Sequence, residues 1–283
     1  MDIKKVGVMG AGTMGAGIAQ VCVEAGFEVI LVDIDEGFVN RGLNNIFKNW
    51  DKAQSKDKIT GEQAENFKKA ITSSTDNKIL AECELVIEAV IENIKIKQEL
   101  FKELDKICPA STILASNTSA LSITEIGTAT NRKEKVIGVH FFNPVPAMKL
   151  VEIIPGAETS PETTQKLMVF CHAIGKEPVP VKESPGFIVN RILIPYINEA
   201  ATIYHEGVAT AEQIDKAMKL GANMPMGPLA LADLVGIDVC LMIMEYFWNE
   251  LGDSKYRPAL AFKQKVRAGH LGKKTGKGFF DYK

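Results

Sequence analysis

The sequence predicts an α/β fold, a doubly wound parallel sheet, followed by an all-helical C-terminal domain. Three observations carry this. Strand-like and helix-like segments alternate from residue 4 onward, a glycine-rich turn joins the first strand to the first helix, and the alternation stops at Ser184-Pro185-Gly186. Beyond that point only helical periodicity remains. A chain of 283 residues exceeds one ordinary core and fits one large domain or two modest ones.

Taken in order, residues 4–9 read as a short buried strand. Residues 12–25 carry apolar helical spacing and stop at Gly26, a glycine placed to close a helix. Residues 28–33 (EVILVD) form a second strand. Strand, helix and strand within so short a span make a βαβ unit, which requires parallel pairing. Residues 36–72 are polar and helical in tendency, a helical hairpin insert broken near Lys58–Gly61. The alternation resumes with strands at 85–90, 112–116 and 136–142 and a helix at 93–107. Strands at 149–154 and 178–181 flank a helix at about 161–174, with Ser160 as N-cap and Pro161 in its first turn. Residues 187–206, 210–220, 228–251 and 258–268 all read as helices. The expected domains are therefore 1–184 and 185–283, and Ser184-Pro185-Gly186 is a hinge candidate.

Composition narrows the function classes. Hydrophobic residues make up 46% and charged residues 24% of the chain, and the formal net charge is −2. That balance makes no electrostatic case for nucleic acid or an anionic membrane. No secretory signal and no membrane span is expected, which points to the cytoplasm. The five cysteines are scattered, with no C-x-x-C, so reduced thiols are expected rather than a disulfide framework or a metal site.

Gly10-Ala11-Gly12-Thr13-Met14-Gly15 matches G-x-G-x-x-G. It follows a strand and opens a helix, the context that gives the pattern meaning as the phosphate-binding turn of a Rossmann-like domain. Gly10 permits the tight turn, Gly12 clears space for a pyrophosphate, and Gly15 lets helix and strand approach. Free N–H groups at the helix start meet the phosphate charge. Asp33 ends the second strand about twenty residues later, where a carboxylate accepts from the adenosine ribose diol. A carboxylate there repels a 2′-phosphate, and no Arg or Lys follows until Arg41. NAD is therefore favoured as cofactor, NADP being the lesser alternative.

His140 lies near the end of the strand at 136–142, and the prolines Pro144 and Pro146 force a turn just beyond it. If residues 143–148 form that turn, the strand at 149–154 returns antiparallel. Phe142 then pairs near Lys149, and His140 near Val151 or Glu152. A carboxylate on one imidazole nitrogen fixes the tautomer and stabilises the imidazolium, so that the other nitrogen can exchange a proton with an alcohol. A buried histidine bonded for structural reasons is the equally weighted alternative. His172, His205 and His270 have no such setting and are read as structural or surface residues.

The segment from His140 through Phe-Phe-Asn-Pro-Val-Pro-Ala-Met-Lys-Leu-Val to Glu152 resembles the signature of the 3-hydroxyacyl-CoA dehydrogenase family. So do Ala115-Ser-Asn-Thr-Ser119, Pro185-Gly-Phe-Ile-Val-Asn190-Arg and Gly272-Lys-Lys-Thr-Gly-Lys-Gly-Phe-Phe. The motifs occur in order and span nearly the whole chain. The resemblance implies a general acid/base at His140, an orienting partner at Glu152, and contacts from Ser119 and Asn190 near the reacting oxygen of the substrate. It also implies that Glu92, Lys97, Asn143 and Lys274 lie near the cofactor. The chain length suggests the stand-alone form of the family, and the resemblance, strongest to bacterial members, implies a four-carbon substrate pair, 3-hydroxybutyryl-CoA and acetoacetyl-CoA.

Lys48, Lys52 and Lys56 recur every four residues and are expected on one helix face. For an isolated helix such a stripe is an ordinary solvated face. The resemblance gives it a role toward coenzyme A, with Lys56 and then Lys52 as the contacts and Asn49 at a position where the family has serine. The family pairs through its helical domain, which implies a homodimer. The apolar set at 229–248, with Met242, Met244, Phe247 and Trp248, serves equally as that domain's own core. Two other readings stand beside the thioester dehydrogenase: a β-hydroxyacid dehydrogenase acting on a free acid, and an NAD-binding sensor that has lost catalysis.

Overall fold

In a computed structural model, which describes residues 3–282, the chain divides into two compact units, Met1–Glu183 and Ser184–Lys283. Residues 1, 2 and 283, the outer ends of the two expected domains, lie outside the described residues.

The first unit is built on an eight-stranded sheet in the order β3-β2-β1-β4-β5-β6-β7-β8. Its strands are β1 (Lys5–Met9), β2 (Glu28–Val32), β3 (Ile71–Ser74), β4 (Leu85–Glu88), β5 (Ile113–Ser116), β6 (Val136–Phe141), β7 (Leu150–Pro155) and β8 (Glu177–Pro180). The pairs from β3 across to β6 are parallel, β7 runs antiparallel to β6, and β8 is parallel to β7. The strand order reverses beside β1, so the carboxyl ends of β1 and β4 open a crevice, where doubly wound sheets bind ligands. β1, β4 and β5 are almost wholly buried apolar runs, as a sheet covered on both faces requires. Pro178 and Pro180 are tolerated in β8 because it is an edge strand.

The helices of this unit are α1 (Thr13–Glu24), α2 (Glu36–Gln54), α3 (Gly61–Lys69), α4 (Ile94–Ile107), α5 (Ile123–Gly127) and α6 (Pro161–Ala173). Side-chain caps mark most of their starts. Asp35 accepts from Gly37 N, Asn93 from Lys95 N and Ile96 N, and Ser160 from Thr163 N. Thr60 and Gln63 close a reciprocal capping box on α3. Such caps contribute about 1 kcal/mol each.

Three details of this unit depart from the pattern expected of the sequence. The helical hairpin stops short of residue 72, because Ile71–Ser74 pairs with β2 as an added strand. Its β-branched residues favour the ladder over another helical turn. α2 ends at Gln54, so Lys56 lies past the helix in the following turn and shares no helical face with Lys48 and Lys52. The β6–β7 register is shifted from the expected Phe142–Lys149 pairing: β6 ends at Phe141, which sits opposite Val151. Residues 143–148 lie between the two strands.

The second unit holds α7 (Val189–His205), α8 (Ala211–Gly221), α9 (Pro228–Val235), α10 (Ile237–Leu251) and α11 (Leu260–Arg267) around its own core. The single helix expected over 228–251 is two. Gly236 has φ +105°, outside the range of a right-handed helix, and the next amide, Ile237 N, donates to Leu271 O at 3.2 Å. Met244 and Phe247 are fully buried in this core, whereas Met242 and Trp248 are 43% and 38% exposed. The apolar set of α10 thus divides between core and surface. No helix among the described residues is long and apolar enough to cross a membrane. All five cysteines are free and buried, and burial pushes their thiols up, to about 12 for Cys83, Cys171 and Cys240. Such thiols are poor nucleophiles.

Candidate active site

The glycine turn sits at the carboxyl end of β1. Gly10 has φ +103°, and a Cβ there would meet Ala89 O of the β4 end at 2.6 Å. A Cβ on Gly15 would lie 1.7 Å from Gly10 O, so only glycine lets α1 leave the turn this closely. At Gly12, by contrast, a Cβ would meet nothing within 4 Å. That glycine is exposed and faces open space, where a ligand backbone can approach. The start of α1, including Thr13 and Met14, has no side-chain cap and no acidic residue in its first turn. Asp33 reaches back to the turn, its Oδ2 accepting from Ala11 N at 2.7 Å. Open space, uncapped amides and an adjacent carboxylate fit the pyrophosphate and ribose of a dinucleotide.

His140 and Glu152 are direct partners across β6 and β7. Of the two pairings open to His140, the register selects Glu152. The side chains meet with Nδ1 and Oε2 2.7 Å apart. Both are buried, at 5% and 1% exposure. Since β6 runs parallel to β5, β4 and β1, His140 lies toward the same sheet edge as the glycine turn. Phe142 packs on the imidazole at 4.4 Å between ring centres. The connection between the strands is held by the buried Lys176, whose ammonium donates to Val145 O at 2.5 Å and Met148 O at 2.8 Å. Burial pushes Lys176 down from the usual lysine range, against the opposing pull of Glu24. Asn143 stands exposed on this connection.

A second polar group lies at the carboxyl ends of β4 and β5. Lys97 is 1% exposed; it donates to Glu88 Oε1 at 2.5 Å and forms an ion pair with Glu92 Oε2 at 3.3 Å. Glu92 Oε1 accepts from Ser119 N at 2.8 Å, Ser119 Oγ at 3.2 Å and Thr118 Oγ1 at 2.6 Å. The structure therefore brings Glu92, Lys97 and Ser119 into one cluster on one sheet edge. Asn117 fastens that edge to β6, its Oδ1 accepting from Phe141 N at 2.9 Å.

Lys52 and Lys56 are exposed on the helical hairpin. α2 is tied to α1 through Asn49, which donates to Gln20, and Trp50, which donates to Glu24 at 2.9 Å. Asn49 thus serves the packing of the hairpin. Asn190 and Lys274 belong to the second unit, where Lys274 pairs with Asp238 at 2.6 Å. Sequence reasoning missed Glu88 and Lys176. The signal for Glu88 was an acid closing an otherwise apolar strand, LVIE.

Two family profiles match the chain. The 3-hydroxyacyl-CoA dehydrogenase NAD binding domain covers residues 5–184, and the C-terminal domain of the same family covers residues 186–282. The chain belongs to the 3-hydroxyacyl-CoA dehydrogenase family. This family member is an NAD-dependent oxidoreductase, and its first unit is the NAD-binding domain. Its relatives include a 3-hydroxybutyryl-CoA dehydrogenase of Clostridioides difficile, 50% identical over 98% of this chain and 99% of that one. The mitochondrial hydroxyacyl-coenzyme A dehydrogenase of Homo sapiens is 45% identical over 99% of this chain and 92% of its own. The crystal structure of (S)-3-hydroxybutyryl-CoA dehydrogenase from Ralstonia eutropha superposes with a TM-score of 0.96, at 45% identity and full coverage of both chains.

Proposed function

We propose that this dehydrogenase interconverts 3-hydroxybutyryl-CoA and acetoacetyl-CoA, with His140 and Glu152 as its proton-handling pair. The observation that carries the reading is the 2.7 Å contact between His140 Nδ1 and Glu152 Oε2 on paired strands. When bound, NAD supplies the acceptor or donor of the hydride at substrate C3. The chain's own residues handle the rest. Glu152 accepts from Nδ1, which fixes the tautomer and stabilises the imidazolium. Nε2 takes the proton from the C3 hydroxyl in oxidation and returns it to the developing alkoxide in reduction.

Ser119 and Asn190 are assigned to the reacting oxygen. Gly10, Gly12, Thr13, Met14, Gly15, Asp33, Glu92, Lys97, Asn143 and Lys274 are assigned to the cofactor. Lys56 and Lys52 are assigned to the phosphates of coenzyme A, where exposed ammonium groups attract a polyanion. The helical unit exposes the apolar side chains Ile192, Met242, Trp248 and Leu260, which suit pairing with a second copy as a homodimer. The five buried thiols suit the reducing cytoplasm.

The test is the initial rate of acetoacetyl-CoA reduction, with NADH and NADPH in parallel and free acetoacetate as control. Turnover with NADH and the thioester alone is expected. Turnover of free acetoacetate at a similar rate would instead identify a free-acid dehydrogenase. NADPH preference would overturn the role of Asp33. NADH binding without turnover would make the chain a sensor.

A further inference from the structure

We propose that Glu88 is a positioning residue for Ser119, acting through Lys97 and Glu92. The proposal rests on the reading of Ser119 as a contact to the reacting oxygen of the substrate. Glu88 is the last residue of β4 and is fully buried. Its Oε1 accepts from Lys97 Nζ at 2.5 Å and Val90 N at 2.7 Å, and its Oε2 from Ser116 Oγ at 2.7 Å. Ser116 is its direct partner on β5. The carboxylate is thus held by two adjacent strands and by the turn after β4.

A carboxylate and an ammonium removed from water need each other and further donors and acceptors to be tolerated. Lys97 meets that need on one side with Glu88 and on the other with Glu92, whose side chain is 21% exposed. Glu92 therefore does not swing freely at the rim. One of its oxygens is drawn to the buried ammonium, which leaves the other to accept the hydroxyl of Thr118 and both the amide and the hydroxyl of Ser119. The amide bond fixes the backbone of that serine against Glu92, and the hydroxyl bond directs its Oγ. The rigid sheet edge is in this way transmitted, through a buried charge pair, to the one hydroxyl assigned to the substrate. A misplacement of about 1 Å at such a contact is costly to rate. Glu88 itself touches neither substrate nor cofactor in this reading.

The test is a double-mutant cycle. Glu88→Gln keeps the shape and, with its carbonyl toward Val90 N, one accepted bond, while its amide turns a donor toward Ser116 Oγ and the charge that fixes Lys97 is removed. kcat and KM for acetoacetyl-CoA are measured at saturating NADH in the native and Ser119→Ala backgrounds. The expected result is a kcat loss of roughly tenfold in the native background and less than about twofold in the Ser119→Ala background, because the step served is already lost. Equal losses in both backgrounds, or none in a folded Glu88→Gln protein, overturn the positioning role. An unchanged kcat in Ser119→Ala alone overturns the reading of Ser119 instead, which separates the two failures. Should Glu88→Gln fail to fold by circular dichroism, Glu88→Asp, which keeps the buried charge but withdraws it from Lys97 by one methylene, takes its place in the same cycle with the same outcomes.

Discussion

Glu152 in the first unit and Asp233 in the second are equally buried carboxylates, each 1% exposed, yet their surroundings differ in kind. Glu152 meets an imidazole, a group that itself gains and loses a proton. Asp233 meets the backbone amides of Phe279 and Phe280 at 2.8 and 2.9 Å and the phenol of Tyr282 at 3.0 Å. It clamps the C-terminal tail so closely that a Cβ on Gly278 would lie 2.0 Å from its Oδ1. Burial, and then Asp233 itself, pushes the Tyr282 hydroxyl well above the usual tyrosine range, so that it stays a donor. The difference teaches that burial of a charge does not mark a site. What marks it is whether the partner can hand a proton onward or only hold the chain in place.

The largest test of that contrast is at the histidine. His140→Gln should lower kcat by about 10²–10⁴-fold while NADH affinity, read by fluorescence titration, persists. Glu152→Gln should follow with roughly 10²-fold, since the imidazole remains but loses its orienting charge. A Glu152→Gln protein with native kcat and reduced stability would collapse the comparison, because Glu152 would then behave as Asp233 does.

Asp233→Asn should act in the opposite manner. The amide group must turn a donor toward one backbone N–H, at a cost of about 1–3 kcal/mol in urea unfolding. Activity per folded molecule should stay within about twofold of the native value. Loss of kcat at undiminished stability would show that the tail clamp serves the chemistry after all.

The smallest expected effect sharpens the contrast with a third acid. Burial alone would raise Asp105, but the amide of Asn131 and the guanidinium of Arg132 at 2.6 Å outweigh it and hold the carboxyl below its usual range. A carboxyl depressed in the folded state adds stability above its unfolded value, near 3.9, and that stability is lost as pH falls toward its folded value. Asp105→Asn should therefore flatten the fall in melting temperature below about pH 4. An unchanged acid limb would mean that other carboxylates govern it.

Much of this was legible in the chain because it is local. The glycine turn, the cap at Ser160, the βαβ alternation and its end near residue 184 all depend on neighbours within a few positions. His140 and Glu152 were legible as candidates because one short turn joins their strands, though whether His140 faced Val151 or Glu152 was not. A ladder's register is set by the summed pairing of whole strands, and a slip of one residue exchanges the faces. The same holds for Lys56, which a fixed four-residue spacing placed on a helix that ends before it.

By itself, then, the sequence determined the βαβ alternation, the glycine turn and the family its motifs resemble, since these follow from backbone freedom and spacing along the chain. Only the tertiary structure decided that Glu88 would meet Lys97, that Glu92 would hold Ser119, that Ile71–Ser74 would join the sheet, and that Gly236 would divide a helix. Each depends on segments far apart in sequence, and the buried polar contacts among them are tolerated only when every partner arrives together.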